Sequence, residues 1–277
     1  MKGAGKRGPA YFFGEGASRL RADSGRRMAL FLDFDGTLVP IRKDPSGCAL
    51  SAETKKLLRS LAGSDLHFVS ILSGRELGDV RSRVGIRNIC YGGNHGLEIS
   101  GRGMRFVHPE AMKVLPAIDA AARRLNKEFA GHDGVRIERK KYSVSLHYRL
   151  AGRESASRIK KDFYRIADEL SLADRFAVMK GKKVLELMPG ISWDKGQAAL
   201  WILKKLQGRY LPVFVGDDTT DETAFEALGD RGITVRVGRS VKTSAHFYLK
   251  HCGETLRLLR ACGGFSSFLE TGQPSIL

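Results

Sequence analysis

Two aspartates stand two positions apart in the segment DFDGTL, residues 33–38, directly after a short apolar run. If that run is a buried strand, alternation sends Asp33 and Asp35 to the same side, while Gly36 permits a tight turn whose backbone N–H groups can face an anion. Two carboxylates at one spot repel each other unless a cation or a shared proton lies between them. Oxygen ligands suit Mg²⁺, so this segment predicts a magnesium site.

A second acidic segment, GDDTTDE at 216–222, follows another apolar run. It repeats the arrangement, because ligands gather at the carboxyl ends of parallel strands. The ligands expected around the ion are waters and three protein groups: the Asp33 carboxylate, the Asp35 carbonyl and Asp217. Either Asp218 or Asp221 then supports the site, unless the last acidic residues only favour a helix N-terminus.

Two further polar positions suit an anion. Ser73-Gly74-Arg75 ends one apolar run and opens an amphipathic stretch, where backbone amides and a hydroxyl can hold phosphoryl oxygens. Lys195 stands at another predicted helix start and would offset phosphate charge, although an isolated lysine there is more often solvated. Only in combination do these positions favour a phosphate site.

The elements that must position these residues alternate along the chain. In the first part, strands are expected at 29–34, 67–72 and 88–91, and helices at 53–61, with Ser51 as a cap, and at 76–84. The alternation of strands and helices returns later in the chain. There, helices are expected at 194–206, 222–228 and 254–261, and strands at 212–215 and 233–237. Such βα repeats predict a parallel sheet.

The middle of the chain has another character. Helices are expected at 110–129 and 154–170, and strands at 135–139, 142–149, 176–179 and 183–187. In the segment 142–149, Ser143, Ser145 and His147 face away from the alternating apolar residues. We therefore predict an α/β protein, with a parallel Rossmann-like sheet core over 28–105 and 183–262, helices on both faces, and an interrupting α+β cap domain over 106–182.

Composition limits the class of protein. With 277 residues, 42% of them apolar, the chain can bury a full core. Residues 1–27 are basic and rich in small residues, which predicts a flexible tail, with an Arg-rich transit peptide as an alternative, and 263–277 is a second expected tail. The four cysteines form no CxxC pair, and no apolar stretch reaches the roughly 18 residues that span a bilayer. A soluble, cytoplasmic protein without a membrane partner is expected.

The order DxDGT, serine, lysine and GDDxxD, with an insert between the second and third, resembles the haloacid dehalogenase-like phosphatases over most of residues 28–260. That resemblance implies Asp33 as nucleophile, Asp35 as general acid and then base, and Asp217 as a metal ligand. It also implies that Ser73 and Lys195 hold the phosphate. The implied reaction runs through an aspartyl phosphate with Mg²⁺ as cofactor.

Within that superfamily, segments such as GNHGLE at 93–98, Glu138-Arg139-Lys140 and His147-Tyr148-Arg149 are similar to those of the trehalose-6-phosphate phosphatase family. The resemblance implies trehalose 6-phosphate as substrate, a mobile cap that binds the sugar, and a possible trehalose-phosphate synthase partner. The implied sugar contacts are Arg75, Asn94, His95, Glu138, Lys140, His147 and Glu186. The chain departs from the family pattern at Met188 and Arg139, which leaves the exact disaccharide open.

Alternatives remain at this level. The same mechanism could serve sucrose 6-phosphate or a glycosyl phosphoglycerate. A formal charge of +17 invites a nucleic-acid-binding module, but +5 lies in residues 1–27 and +9 in 102–182, with no nucleic-acid-binding motif. A basic surface, or attraction of an anionic substrate, explains that distribution as well, so a small sugar phosphate is the expected partner and nucleic acid is not. Hinges for cap movement are expected near 101–103 and 181–183.

Overall fold

The computed structural model describes residues 8–22, 26–42, 47–171, 176–181 and 183–264. Within these ranges the strands are β1 Ala10–Tyr11, β2 Met28–Leu32, β3 His67–Leu72, β4 Cys90–Gly93, β5 Glu98–Gly101, β6 Met104–Val107, β7 Arg136–Lys140, β8 Ser143–His147, β9 Phe176–Gly181, β10 Val184–Pro189, β11 Leu211–Gly216, β12 Ile233–Val237 and β13 Phe247–Leu249. The α-helices are α1 Ala17–Ala22, α2 Ala52–Ala62, α3 Leu77–Val84, α4 Pro109–Lys113, α5 Leu115–Phe129, α6 Arg153–Ser171, α7 Lys195–Lys205, α8 Glu222–Leu228 and α9 Gly253–Cys262.

Nine of the described strands form one sheet in the order β1-β13-β12-β11-β2-β3-β4-β5-β6. The strands from β1 to β4 in this order run parallel, and β5 and β6 add antiparallel at the far edge. Strand β2 lies in the middle, and its Leu32 pairs with Val215 of β11. The carboxyl ends of β2 and β11 are therefore neighbours.

Side chains of the central strands alternate between two apolar layers. Leu30 and Leu32 of β2 pack with residues of α2, α3 and α9. Ala29 and Phe31 face the opposite layer, which contains residues of α7 and α8. Burial on both faces explains why β2 reads as a continuous apolar run. The predicted α/β class, with a largely parallel sheet flanked by helices, is confirmed.

Two helix starts are fixed by side-chain caps. The Ser51 hydroxyl accepts a 3.0 Å hydrogen bond from the Thr54 backbone N–H, as the sequence predicts. The Asp194 carboxylate accepts one of 2.9 Å from the backbone N–H of Gln197. The latter cap begins α7 at Lys195, so it fixes the backbone from which that lysine extends.

The second sheet is antiparallel and has the order β7-β8-β10-β9. Val144 and Leu146 of β8 pack against α5 and α6, whereas Ser143 and Ser145 point to the other face. Both serines are nevertheless buried, because that face lies against the nine-stranded sheet's domain rather than in water. The polar face predicted for this segment is therefore an inner surface.

The structure corrects the flexible-tail prediction for residues 10–22. Strand β1 pairs parallel with β13, and Phe12 and Leu20 are buried in the main core. Residues 1–27 are basic overall, but the segment also contains apolar side chains, and burial of these side chains stabilises the packed conformation. Residues 1–7 and 23–25, together with 265–277 of the second expected tail, lie outside the described ranges.

The insert differs in its limits from the expected 106–182. Strand β6 extends to Val107 in the core sheet, and β10 belongs to the cap sheet, so the chain returns to the core only after Pro189. The long helix expected over 110–129 is two helices, since Pro116 lacks the N–H that would continue α4. No helix in the described ranges is long and apolar enough to cross a membrane.

The two expected hinges are turns inside sheets. Residues 101–103 close the β5–β6 hairpin of the core, which sequence analysis missed, and Gly181 pairs with Val184 across the β9–β10 turn. Lys182 itself lies outside the described residues. The chain instead passes between the two sheets at His108 and over residues 190–194.

Candidate active site

Asp33 and Asp217 lie side by side at the carboxyl ends of adjacent strands. Asp33 follows β2, and its backbone N–H donates a 2.9 Å hydrogen bond to the carbonyl of Val215 in β11. Asp217 follows β11 directly, and the two side chains are only 5% and 3% exposed. The continuous sheet thus brings two acidic segments from opposite halves of the chain to one buried spot.

Gly36 makes this approach possible. Its φ is +88°, a conformation that side chains other than glycine rarely adopt. A Cβ at this position would lie 2.2 Å from Oδ2 of Asp217. The glycine of the DFDGTL segment therefore serves both the turn and the close packing of the second acidic segment against the first.

Lys195 bridges two buried carboxylates. Its Nζ donates 2.7 Å hydrogen bonds to Oδ1 of Asp33 and to Oδ1 of Asp221. Burial lowers the pKa of Lys195, but Asp221 and Asp33 raise it by more, so the pKa is raised overall and the ammonium stays charged. The interpretation of Lys195 as an ordinary solvated lysine does not apply, since it is 2% exposed.

Asp221 shapes the second acidic segment. Its Oδ2 accepts hydrogen bonds of 2.9 and 3.0 Å from the backbone N–H groups of Asp217 and Asp218. Asp218 is less buried and caps the short 3₁₀ turn that follows, with its Oδ1 accepting from the Thr219 N–H. Of the two residues left open by the sequence, the structure places Asp221 in the buried cluster.

The donor set suits a divalent cation. Carboxylate oxygens of Asp33, Asp217 and Asp221 lie within 4.8 Å of one another, and all three residues are buried. Burial raises the pKa of Asp33, and Asp221 and Asp217 raise it further, while Lys195 lowers it. One ammonium cannot balance three carboxylates, and a hard cation with oxygen ligands such as Mg²⁺ fits both the charge and the atoms. The role predicted for the Asp35 carbonyl stays a prediction.

Asp35 is held by Arg75 rather than by the cluster. The Nε and Nη2 groups of Arg75 donate to the two Asp35 oxygens over 2.6 and 2.8 Å. Nη1 donates to Asp79 over 2.8 Å, and Asp79 also accepts from Arg83. Arg75 was predicted as a sugar contact; it lines the cavity but is first of all the partner of Asp35. Asp79 was missed, although its i,i+4 spacing from Arg75 is a usable signal.

Ser73 lies at the end of β3, on the wall of the same cavity. Its backbone N–H donates to the carbonyl of Gly92, and its hydroxyl accepts a 3.1 Å hydrogen bond from the Arg75 N–H. The side chain is 1% exposed. The hydroxyl is thus fixed on the wall of the cavity that Asp33 also lines, and its phosphate contact stays a prediction.

The predicted sugar contacts of the cap share one face of its sheet. His147 Nε2 lies 2.6 Å from Oε2 of Glu138, and Lys140 Nζ donates to Oε1 of Glu186 over 2.9 Å. Burial raises the pKa of Glu186, but Lys140, His95 and Ser143 lower it by more, so this buried carboxyl is held ionised. Polar groups of both signs therefore face the core.

His95 and Asn94 occupy a strained corner of the core. Both have left-handed backbones, with φ of +57° and +49°. The His95 ring packs against Gly74, where a Cβ would lie 2.7 Å from Cε1, and its Nε2 lies 3.6 Å from Glu186 Oε2. His95 lines the cavity; Asn94 is 1% exposed and lies behind it, so its predicted sugar contact is not among the cavity-lining positions.

A cavity of about 790 Å³ lies between the two sheets' domains. Its wall includes the predicted residues Asp33, Asp35, Ser73, Arg75, His95, Glu138, Lys140, His147, Glu186, Lys195 and Asp217. Of the two departures from the family pattern, Met188 is buried in a small apolar cluster with Tyr142, whereas Arg139 lines the cavity and is paired with Asp119.

The sequence matches a known protein family over most of its length. A family model described as trehalose-phosphatase matches residues 31–252. The trehalose-phosphate phosphatase of Mycobacterium marinum is 36% identical over 216 residues, which are 76% of this chain and 54% of the relative. The chain thus spans about half the length of the curated relatives it matches.

Solved structures agree in fold and sequence. The C-terminal domain of the Candida albicans trehalose-6-phosphate phosphatase superposes with a TM-score of 0.76 at 25% identity, covering 94% of this chain and 99% of that one. The Synechocystis sucrose-phosphatase shares the fold, with a TM-score of 0.54 at 16% identity, covering 86% of this chain and 98% of that one. With the family model covering most of the chain, this protein belongs to the trehalose-phosphatase family of the haloacid dehalogenase-like phosphatases.

Proposed function

We propose that this protein hydrolyses trehalose 6-phosphate to trehalose and phosphate through a phosphorylated Asp33. The observation that carries this proposal is the setting of the Asp33 carboxylate. It is hydrogen-bonded to Lys195 and belongs to the acidic cluster that suits a divalent cation. It also lines a cavity whose wall includes polar residues of the cap. Named relatives with the trehalose-phosphate phosphatase activity support the substrate.

In the first step, an Asp33 oxygen attacks the phosphorus atom and the bond from phosphorus to the sugar oxygen breaks. Asp35 donates a proton to that departing oxygen, which leaves trehalose and an acyl phosphate. In the second step, water attacks the same phosphorus and gives its proton to Asp35. The bond from phosphorus to the Asp33 oxygen breaks, which regenerates the Asp33 carboxylate and releases inorganic phosphate.

The surrounding groups stabilise charge on the transferred phosphoryl unit. Lys195 and the Ser73 hydroxyl line the same cavity as Asp33 and are fixed before substrate arrives. A Mg²⁺ ion held by Asp33 and Asp217, with support from Asp221, would supply further positive charge to the phosphoryl oxygens when bound. Arg75 fixes the position of Asp35 on the cavity wall, and one of its two hydrogen bonds must break before Asp35 can carry the proton of the first step.

The cap face supplies the sugar contacts. Glu138 and Glu186 offer ionised acceptors, and Lys140 offers a donor, which suits the hydroxyl groups of a disaccharide. Glu186 is buried, so a sugar that disturbed its bonds to Lys140 and Ser143 without replacing them would bind poorly.

A substrate panel tests the proposal. Phosphate release is measured from trehalose 6-phosphate, sucrose 6-phosphate and glucosyl phosphoglycerate, each with Mg²⁺ and with excess chelator. We expect kcat/KM to be highest for trehalose 6-phosphate and activity to vanish on chelation. Another sugar phosphate preferred by tenfold or more would replace the substrate, and activity surviving complete chelation would remove the metal role.

The Asp33→Asn variant tests the nucleophile. We expect no turnover of any sugar phosphate and no phosphorylated protein after acid quench. Turnover near the wild-type rate would remove Asp33 from this role.

Location and partners are proposals of the same kind. The four cysteines are free thiols, which supports a reducing compartment such as the cytoplasm.

The proposed substrate also requires an enzyme that makes it, so we propose a trehalose-phosphate synthase as a partner. Co-purification of the two from the native cell, at physiological salt, tests whether they bind each other.

A further inference from the structure

Glu98 belongs to the core sheet; its Oε2 accepts a 3.5 Å hydrogen bond from Asn94 of the core, and its Oε1 is bonded to the cap. It is the first residue of β5, is 7% exposed, and is not among the residues that line the cavity. Its Oε1 accepts a hydrogen bond from the ammonium of Lys141 and another, of 3.1 Å, from the hydroxyl of Tyr142. A buried core carboxylate is therefore satisfied by two successive cap residues.

Those two residues form the turn between β7 and β8. The backbone N–H of Lys141 donates to Oε1 of a second core carboxylate, Glu76. Tyr142 is fully buried, and the Lys141 ammonium lies 5.0 Å from the centre of its ring. The turn thus docks on the core through an ion pair, two hydrogen bonds and a buried ring.

The same turn carries a residue of the candidate site. Lys140, directly before Lys141, points the other way, and its Nζ donates to Glu186 over 2.9 Å and to the carbonyl of Gly74 over 3.2 Å. Gly74 follows Ser73 in the phosphate-binding segment. The position of the Lys140 ammonium is therefore coupled, through one peptide unit, to the docking of Lys141.

Because Glu98 is buried, its carboxylate depends on the hydrogen bonds from Lys141 and Tyr142. A carboxylate removed from water is costly without partners, and charge-assisted hydrogen bonds are stronger than neutral ones. Glu98 consequently favours the arrangement in which the cap turn is seated on it. We propose that Glu98 is a positioning residue, which seats the β7–β8 turn on the core and so sets Lys140 over the phosphate-binding segment; this inference rests on the proposed sugar-phosphate activity.

Two variants and a small substrate test the role. Glu98→Gln keeps the shape and removes the charge, and Lys141→Met removes the cap partner, whose side chain is 45% exposed. We expect each variant to raise KM for trehalose 6-phosphate about tenfold, while kcat/KM for p-nitrophenyl phosphate, which has no sugar to seat, stays within twofold. Lys113→Met, at an exposed lysine paired with Glu110 in α4, is the matched control and should change neither value.

The double variant separates positioning from a merely structural role. Each single change removes the same ion pair between Glu98 and Lys141. The double variant E98Q/K141M should therefore raise KM for trehalose 6-phosphate no more than the single variant with the larger effect. Equal losses on both substrates, or losses that multiply in the double variant, would overturn the proposal.

Hydrogen exchange over residues 139–143 without substrate reads the docking itself. We expect exchange at least tenfold faster in Glu98→Gln than in wild type, and unchanged exchange would overturn the proposal. If wild type fails to hydrolyse trehalose 6-phosphate, the proposed function is lost, and this exchange measurement alone decides whether Glu98 seats the turn.

Discussion

Arg75 grips Asp35 at two points, with Nε and Nη2 meeting the two carboxylate oxygens over 2.6 and 2.8 Å. Burial lowers the pKa of the guanidinium, but its bonds to Asp35 and Asp79 raise it by more, so the arginine stays charged. A two-point contact of this kind fixes the plane of the carboxylate as well as its position. The position of Asp35 is therefore fixed before substrate binds.

Removing the two hydrogen bonds from Arg75 to Asp35 should slow reactions in which the leaving group must be protonated. In Arg75→Gln we expect kcat/KM for trehalose 6-phosphate to fall at least tenfold more than for p-nitrophenyl phosphate, whose leaving group departs without a proton. Arg83→Gln, which removes the other arginine on Asp79, is the control and should not discriminate between the substrates. Equal losses on both substrates in Arg75→Gln would contradict an orienting role.

Asp221 and Asp218 should behave differently although they are three positions apart. Asp221→Asn removes a charged partner of buried Lys195, and we expect unfolding free energy to drop by about 3 kcal/mol and the Mg²⁺ concentration for half-maximal activity to rise tenfold or more. Asp218→Asn loses only part of a cap, so about 1 kcal/mol or less is expected, with little change in the Mg²⁺ requirement. Urea unfolding and Mg²⁺ titration measure both quantities. The reverse order of effects would transfer the supporting role to Asp218.

Gly36 should tolerate no side chain. In Gly36→Ala the new Cβ would collide with the Asp217 carboxylate, and displacement of that group by about 1 Å is expected to cost on the order of 100-fold in kcat/KM. Gly103→Ala is the matched control, because its φ is +76° but nothing lies within 4 Å of its Cβ position. There we expect only backbone strain of about 1 kcal/mol and normal activity. Normal activity in Gly36→Ala would show that Asp217 need not occupy its present place.

Glu186 should make the cap sensitive to acid. Its pKa is lowered in the folded state from the usual 4.5, so it contributes stability that is present above that value and is lost as the pH falls below it. We expect the unfolding free energy of wild type to fall more steeply between about pH 5 and pH 3 than that of Glu186→Gln. Glu110→Gln, at an exposed pair, should follow wild type. Parallel curves for wild type and Glu186→Gln would refute the contribution.

Sequence patterns located most elements that position the site. Buried parallel strands such as β3 appear as unbroken apolar runs between turn signals, and β3 and α8 have the bounds 67–72 and 222–228 that the patterns predict. The β5–β6 hairpin was not predicted, because its strands Glu98–Gly101 and Met104–Val107 are short and mixed in polarity. Strand β1 has only two residues, and it pairs with β13, more than 230 positions away, which no local pattern can reveal.

The candidate site was predictable as a set of residues but not as a set of contacts. Motifs placed Asp33, Lys195 and Asp217 together, because parallel strand ends converge on one edge. They could not tell that Arg75 would hold Asp35, or that Asn94 would turn behind the cavity wall, since such choices depend on side-chain packing across the fold. Glu98 belongs to the GNHGLE segment that the sequence singles out, but its contacts with Lys141 and Tyr142, more than 40 positions away, were not predicted.

The pairing of Leu32 with Val215 constrains how a newly made chain matures. Cap strands β7 to β10 are continuous in sequence, so they can associate while the ribosome is still adding residues. Strand β2, with five buried apolar residues, must wait with one edge uncovered until β11 emerges from the exit tunnel. The acidic cluster of Asp33, Asp217 and Asp221 can therefore form only after β11 and the segment that follows it have been made.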